Sequence, residues 1–130
     1  MGTPAVVAND QITGSCATHV VPGPSGGPMP SPAPLPFSAP LTVGLAVAVT
    51  IGGKPMAVQG SGGMNVPPHA GLHPSDPFLV PSAQQGRVVA GSGTVLVEGR
   101  PAAYTGCPAT TCAGVPGQLA GSAATVLVGQ

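Results

Sequence analysis

Apolar residues along this chain come in short runs that stop at glycine or proline, and no window sustains the 3.6-residue spacing of an amphipathic helix. The runs are rich in valine, alanine and threonine, and they predict strands over 5–8, 43–51, 56–58, 87–90, 94–98, 102–104 and 125–128. At most a helical turn is expected over 117–120. One phrase recurs at the ends of the runs. Val49-Thr50-Ile51-Gly52-Gly53-Lys54-Pro55-Met56-Ala57-Val58-Gln59-Gly60 and Val95-Leu96-Val97-Glu98-Gly99-Arg100-Pro101-Ala102-Ala103-Tyr104-Thr105-Gly106 match in register. The amino terminus supplies the second half of a third copy as Pro4-Ala5-Val6-Val7-Ala8-Asn9-Asp10. Its first half stands at the other end, as Ala124-Thr125-Val126-Leu127-Val128-Gly129.

The Gly-[Lys/Arg]-Pro corners read as strand-to-strand turns, because proline fixes its own φ and donates no hydrogen bond while glycine takes the tight conformation. Units of this length cannot bury their own apolar face and must stack on one another. Three of them in 130 residues predict one all-β, loop-rich domain over 1–130, a small cone of short strands with approximate threefold symmetry. Two loops interrupt the repeats, at about 22–40 and about 61–82. The first carries Pro22, Pro24, Pro28, Pro30, Pro32, Pro34, Pro36 and Pro40 and reads as an extended polyproline-type segment, either a spacer or a strap anchored by Leu35 and Phe37.

Composition sharpens this picture. Charged residues are 5% of the chain, with Asp10, Asp76 and Glu98 set against Lys54, Arg87 and Arg100. A surface so short of charge is sticky and implies a covering partner. Three basic residues cannot neutralise a phosphate track, which excludes nucleic acid as a partner. The aromatics are only Phe37, Phe78 and Tyr104, so the core must be built from small aliphatics that bury little area per residue. A domain of this kind calls for a metal or oligomerisation as a staple. The longest apolar stretch, 41–51, is too short to span a bilayer, and no basic leader precedes it, so the expectation is a chain made in the cytoplasm without a signal peptide.

The three histidines and three cysteines follow the repeat. Cys16 and His19 come downstream of Pro4, His69 and His73 downstream of Pro55, and Cys107 and Cys112 downstream of Pro101. Folding the repeats around a common axis would converge them, and a tetrahedral zinc site needs four nitrogen or sulfur donors. His19, His69, His73 and Cys112 supply that number. Cys16 competes with Cys112 for the thiolate position, iron is the substitute metal, and a Cys107–Cys112 disulfide remains an alternative.

The phrase Thr94-Val95-Leu96-Val97-Glu98-Gly99-Arg100-Pro101-Ala102-Ala103 resembles the signature of PAAR-repeat proteins, the small cones that sharpen the central spike of contractile injection machines. Gly53-Lys54-Pro55-Met56-Ala57 and Thr125-Val126-Leu127-Val128-Gly129 match its other copies. The resemblance implies a cone seated on a trimeric spike protein, one copy per trimer, with a zinc near its apex held by three His and one Cys. It also implies assembly at the tip of a type VI secretion or phage-tail-like particle, transient contact with a target membrane, and effector cargo in some members. Where the family places Arg and then Gly-Asp after the corner, this chain has Tyr104 and Gly106-Cys107, or Val58 and Gly60-Ser61; Asp10 keeps the acid.

No catalysis is expected. His69 and His73 share the spacing of helical zinc proteases, but the glutamate is missing and Pro67, Pro68, Gly71 and Pro74 forbid the helix. Asp76 is the one acid near a histidine. The rival readings are a zinc hydrolase with an open coordination position and a generic β-repeat scaffold without metal.

Overall fold

The computed structural model describes residues 2–16, 19–111 and 115–129, and among these the fold is all-β, its only helical feature a 3-10 turn over Pro81–Ala83. The corner phrases form three antiparallel strand pairs, two of them hairpins. β1 (Gly2–Ala5) pairs with the last strand, β14 (Ala123–Gly129); β6 (Ala46–Ile51) pairs with β7 (Lys54–Met56); β10 (Leu96–Val97) pairs with β11 (Arg100–Pro101). The split third copy is thus rejoined by strand pairing. Each corner proline faces the middle residue of its apolar run: Pro4 opposite Leu127, Pro55 opposite Thr50 and Pro101 opposite Leu96.

The segments after the prolines then pair with one another in a closed circuit. Val7 bridges Met56, Val58 bridges Ala102, and Tyr104 bridges back to Ala5. One backbone bond recurs at each junction: Ala8 N to Pro55 O at 2.9 Å, Gln59 N to Pro101 O at 2.8 Å and Thr105 N to Pro4 O at 3.0 Å. Each segment ends in a left-handed residue, Asn9, Gly60 or Gly106, with φ of 70°, 94° and 89°. Glycine adopts this conformation without steric cost and asparagine tolerates it, which is why the phrase closes as it does. Asp10 Oδ2 and Ser61 Oγ close two of the turns by accepting from the backbone N–H of Val7 and Val58, each at 2.9 Å.

Beyond this circuit lies a six-stranded antiparallel sheet in the order β5 (Leu35–Pro40), β2 (Gln11–Cys16), β13 (Pro116–Leu119), β12 (Ala109–Thr110), β9 (Gln85–Val88) and β8 (Gly62–Met64). Its two edges approach each other, with Val66 N donating to Ser38 O at 2.8 Å and Thr42 N to Gly62 O at 2.9 Å, so the sheet is nearly closed. Inside it Ile12, Phe37, Leu41, Val88 and Leu119 pack against Val6, Ala57 and Ala103 of the circuit. Burying side chains of that size contributes about 1.5–3 kcal/mol each.

One open expectation resolves toward its anchored alternative, and one changes. Half of the proline-rich segment is structural: β3 (Val20–Pro22) and β4 (Pro28–Pro30) make a hairpin, and β5 runs in unbroken register along β2 with Phe37 in the core. Residues 117–120, read as a helical turn, belong instead to β13 and the residue after it. Gly117 there lets two strands close up, since a Cβ would lie 3.0 Å from Ile12 Cγ2 and from Thr111 Cγ2.

Candidate metal centre

β2 carries the chain away from the Asp10 turn, and at about 3.3 Å per residue its last residue, Cys16, lies roughly 17 Å further on. There Cys16 meets His19, at the entrance to β3, and His69, in the long connection between β8 and β9. One donor atom from each lies within 4.8 Å of the others, which is a spacing that can hold a metal ion. Cys16 and His19 are fully enclosed and His69 is half-buried. The donor set fits a borderline-soft divalent ion: one sulfur and two imidazoles, in a pocket walled by Phe78 against His19 (5.6 Å between ring centroids) and Phe37 near His69 (6.4 Å).

The surroundings hold the donors in place. His19 Nδ1 lies 3.1 Å from Asp76 Oδ2, and that oxygen also accepts from Val20 N at 2.8 Å; Asp76 Oδ1 accepts from Phe78 N at 2.7 Å. Burial disfavours the Asp76 carboxylate, yet those two backbone N–H groups and the His19 ring outweigh it and hold Asp76 below the ordinary carboxylate range. His69 is fixed through its backbone, which donates to Gln84 Oε1 at 2.7 Å. Buried Gln84 is tied in turn to Phe78 O at 2.9 Å and to Asn65 Nδ2 at 3.1 Å. Burial first, and then the neighbouring His19, push His69 below the ordinary imidazole range, against a smaller upward pull from Asp76. A neutral ring is the form that binds metal. Cys16 Sγ lies 3.7 Å from Thr111 Oγ1.

Of the four donors expected from the sequence, the structure brings together His19 and His69. The third member of the cluster is Cys16, the residue that competed with Cys112. Cys112 itself lies outside the described residues. His73 stands apart from the cluster: its Nδ1 accepts from Ser75 N at 3.0 Å with Ser75 Oγ at 2.8 Å, and its Nε2 is 3.2 Å from Gly26 O. The ring fastens the β3–β4 hairpin to the 65–84 connection, and among the described residues it is not brought to the cluster. Cys107 is a free thiol buried in the main core, and its disulfide partner in the expected alternative, Cys112, lies outside the described residues. Sequence reading missed the partnership of Asp76 with His19; the two are separated by 57 positions and no spacing rule connects them.

No family model matches this chain, and neither the curated proteins nor the solved structures contain a match to it. No helix among the described residues is long and apolar enough to cross a membrane.

Proposed function

We propose that the chain is a PAAR-type spike tip: a non-catalytic cap that seats on a trimeric spike protein of a contractile injection machine and is pinned by a zinc ion. The observation that carries this reading is the closed circuit of three corner segments, each joined to an apolar run that leaves a large side chain in solvent. Val47 is 75% exposed, Leu96 64% and Leu127 60%. On this reading the circuit has approximate threefold symmetry, and each strand pair offers one equivalent apolar edge to one subunit of a trimer. Unpaired strand edges with apolar side chains are templates for such pairing. Contraction then loads a narrow cap rather than a blunt trimer, which concentrates force on a small patch of target envelope.

In this scheme Cys16, His19 and His69 hold the zinc, with Cys112, next in the chain to Thr111, as the fourth donor. A bound zinc supplies structural crosslinking between β2, the β3 entrance and the 65–84 connection. Support for a structural role over a hydrolytic one comes from Asp76. Both of its oxygens are spent on His19, Val20 and Phe78, so the nearest acid is not placed as a general base for metal-bound water. Co-expression with the trimeric spike protein of such a machine, followed by native mass spectrometry, tests the proposal. The expected species is one cap per three spike chains; a chain that elutes alone as a monomer overturns it.

A further inference from the structure

We infer that Asp76 is a positioning residue for metal binding, acting through His19; this rests on the metal-holding reading of the Cys16, His19 and His69 cluster. A carboxylate that is 4% exposed is costly to bury unless donors surround it. Asp76 has three. Phe78 N donates to Oδ1, while Oδ2 receives Val20 N and the Nδ1 edge of the His19 ring. A carboxylate that only closed the 76–78 turn would need Phe78 N alone. This one reaches across the chain to grip two successive residues, 19 and 20, by side chain and backbone at once.

The chemical consequence lies in the ring. Because Oδ2 is an acceptor, the hydrogen of neutral His19 sits on Nδ1, and the lone pair is on Nε2. The ring is also flanked edge-to-face by Phe78, at 87° between ring planes, and by His69, at 65° with centroids 4.6 Å apart. The tautomer is therefore set by Asp76, outside the donor set, and the orientation by Asp76 and Phe78 together with the neighbouring donor His69. Second-shell carboxylates of this kind commonly change metal affinity 10–100-fold when removed.

The variant Asp76→Asn keeps the shape but loses the charge and one acceptor, so it cannot accept from Phe78 N, Val20 N and His19 Nδ1 together, and the hold on the Nδ1–H tautomer of His19 weakens. Zinc and cobalt(II) are the probes. Wild-type stoichiometry is measured first, then the dissociation constant of each metal by competition with a chromophoric chelator, together with the cobalt ligand-field bands. The expected result is an affinity roughly 10–100-fold weaker in Asp76→Asn, with shifted cobalt bands, and partial recovery in Asp76→Glu. A wild-type protein that binds no metal overturns the metal-centre reading and this inference with it. Metal bound by wild type with unchanged affinity and spectrum in Asp76→Asn overturns this inference alone. Long-range proton–nitrogen correlation on the zinc-loaded wild type gives a readout independent of whether the variant folds: His19 must show a protonated Nδ1 and a metal-bound Nε2, and coordination through Nδ1 overturns the assignment.

Discussion

On the proposal that Cys16, His19 and His69 hold a metal, removing it should loosen one part of the molecule by a calculable amount. The 65–84 connection contains no strand, and its buried side chains are few: Asn65, Leu72, Asp76 and Gln84. It is tied down by polar contacts that converge on His69 and His19, the two residues a metal would crosslink to Cys16 on β2. An ion present at a thousand times its dissociation constant stabilises the folded state by about 4 kcal/mol. That is a large share of the roughly 5–15 kcal/mol that holds a typical domain folded. For a chain of this size each kcal/mol corresponds to about 3–5 °C, so stripping the metal should lower the melting temperature by roughly 12–20 °C. Thermal melts followed by circular dichroism, with and without a strong chelator, measure it, and elemental analysis verifies removal. His69→Ala should melt near the stripped wild type and ignore the chelator. The reasoning is refuted if the wild type melts at one temperature in both states, or if His69→Ala retains the full response to metal.

Three further predictions concern other parts of the molecule. Gly63→Ala should destabilise by about 1–3 kcal/mol, because its Cβ would overlap the Pro40 carbonyl oxygen and lie 2.9 Å from the carbon, forcing β8 and β5 apart. Gly93→Ala, with nothing within 4 Å of the new methyl, is the neutral control; urea denaturation compares the two. Burial raises the Cys107 thiol above its ordinary range, so its neutral form contributes stability that is fully present at neutral pH. That contribution is lost as pH rises past the unfolded-state thiol value toward the folded one, and Cys107→Ala should flatten the alkaline slope of the melting curve. Leu96→Ser with Leu127→Ser should leave folding within about 0.5 kcal/mol, since both side chains are exposed. On the spike-tip proposal, the same pair should weaken binding to a trimeric spike protein on the order of 100-fold, measured by calorimetry.

What the sequence revealed follows from where local chemistry was decisive. The corners were legible because proline and left-handed glycine are demanded by backbone geometry in the β6–β7 and β10–β11 hairpins, and the β1–β14 pair repeats the same phrase across the chain ends. β5 was hidden because prolines mask its alternation, yet Phe37 and Ala39 point inward and Pro36 and Pro40 are tolerated because β5 is a terminal strand of the sheet. β2 was hidden because Ile12 and Cys16 are its only fully buried side chains, among polar residues and Gly14. At the site, phasing against the repeat pointed to His19 and His69, and it offered Cys16 as a rival to Cys112. It could not separate His69 from His73, four positions on. That distinction is made by Ser75 and Gly26, which occupy both nitrogens of His73, and by Gln84, which fixes the backbone of His69. Such contacts are made across the fold and leave no local trace.

The most direct test of the account is the coordination shell of the metal in the full chain, read by elemental analysis and X-ray absorption at the zinc edge. The account predicts one zinc per chain with a first shell of mixed sulfur at about 2.3 Å and nitrogen at about 2.0 Å. Purified protein without stoichiometric metal, or with a shell of oxygen and nitrogen alone, would contradict it.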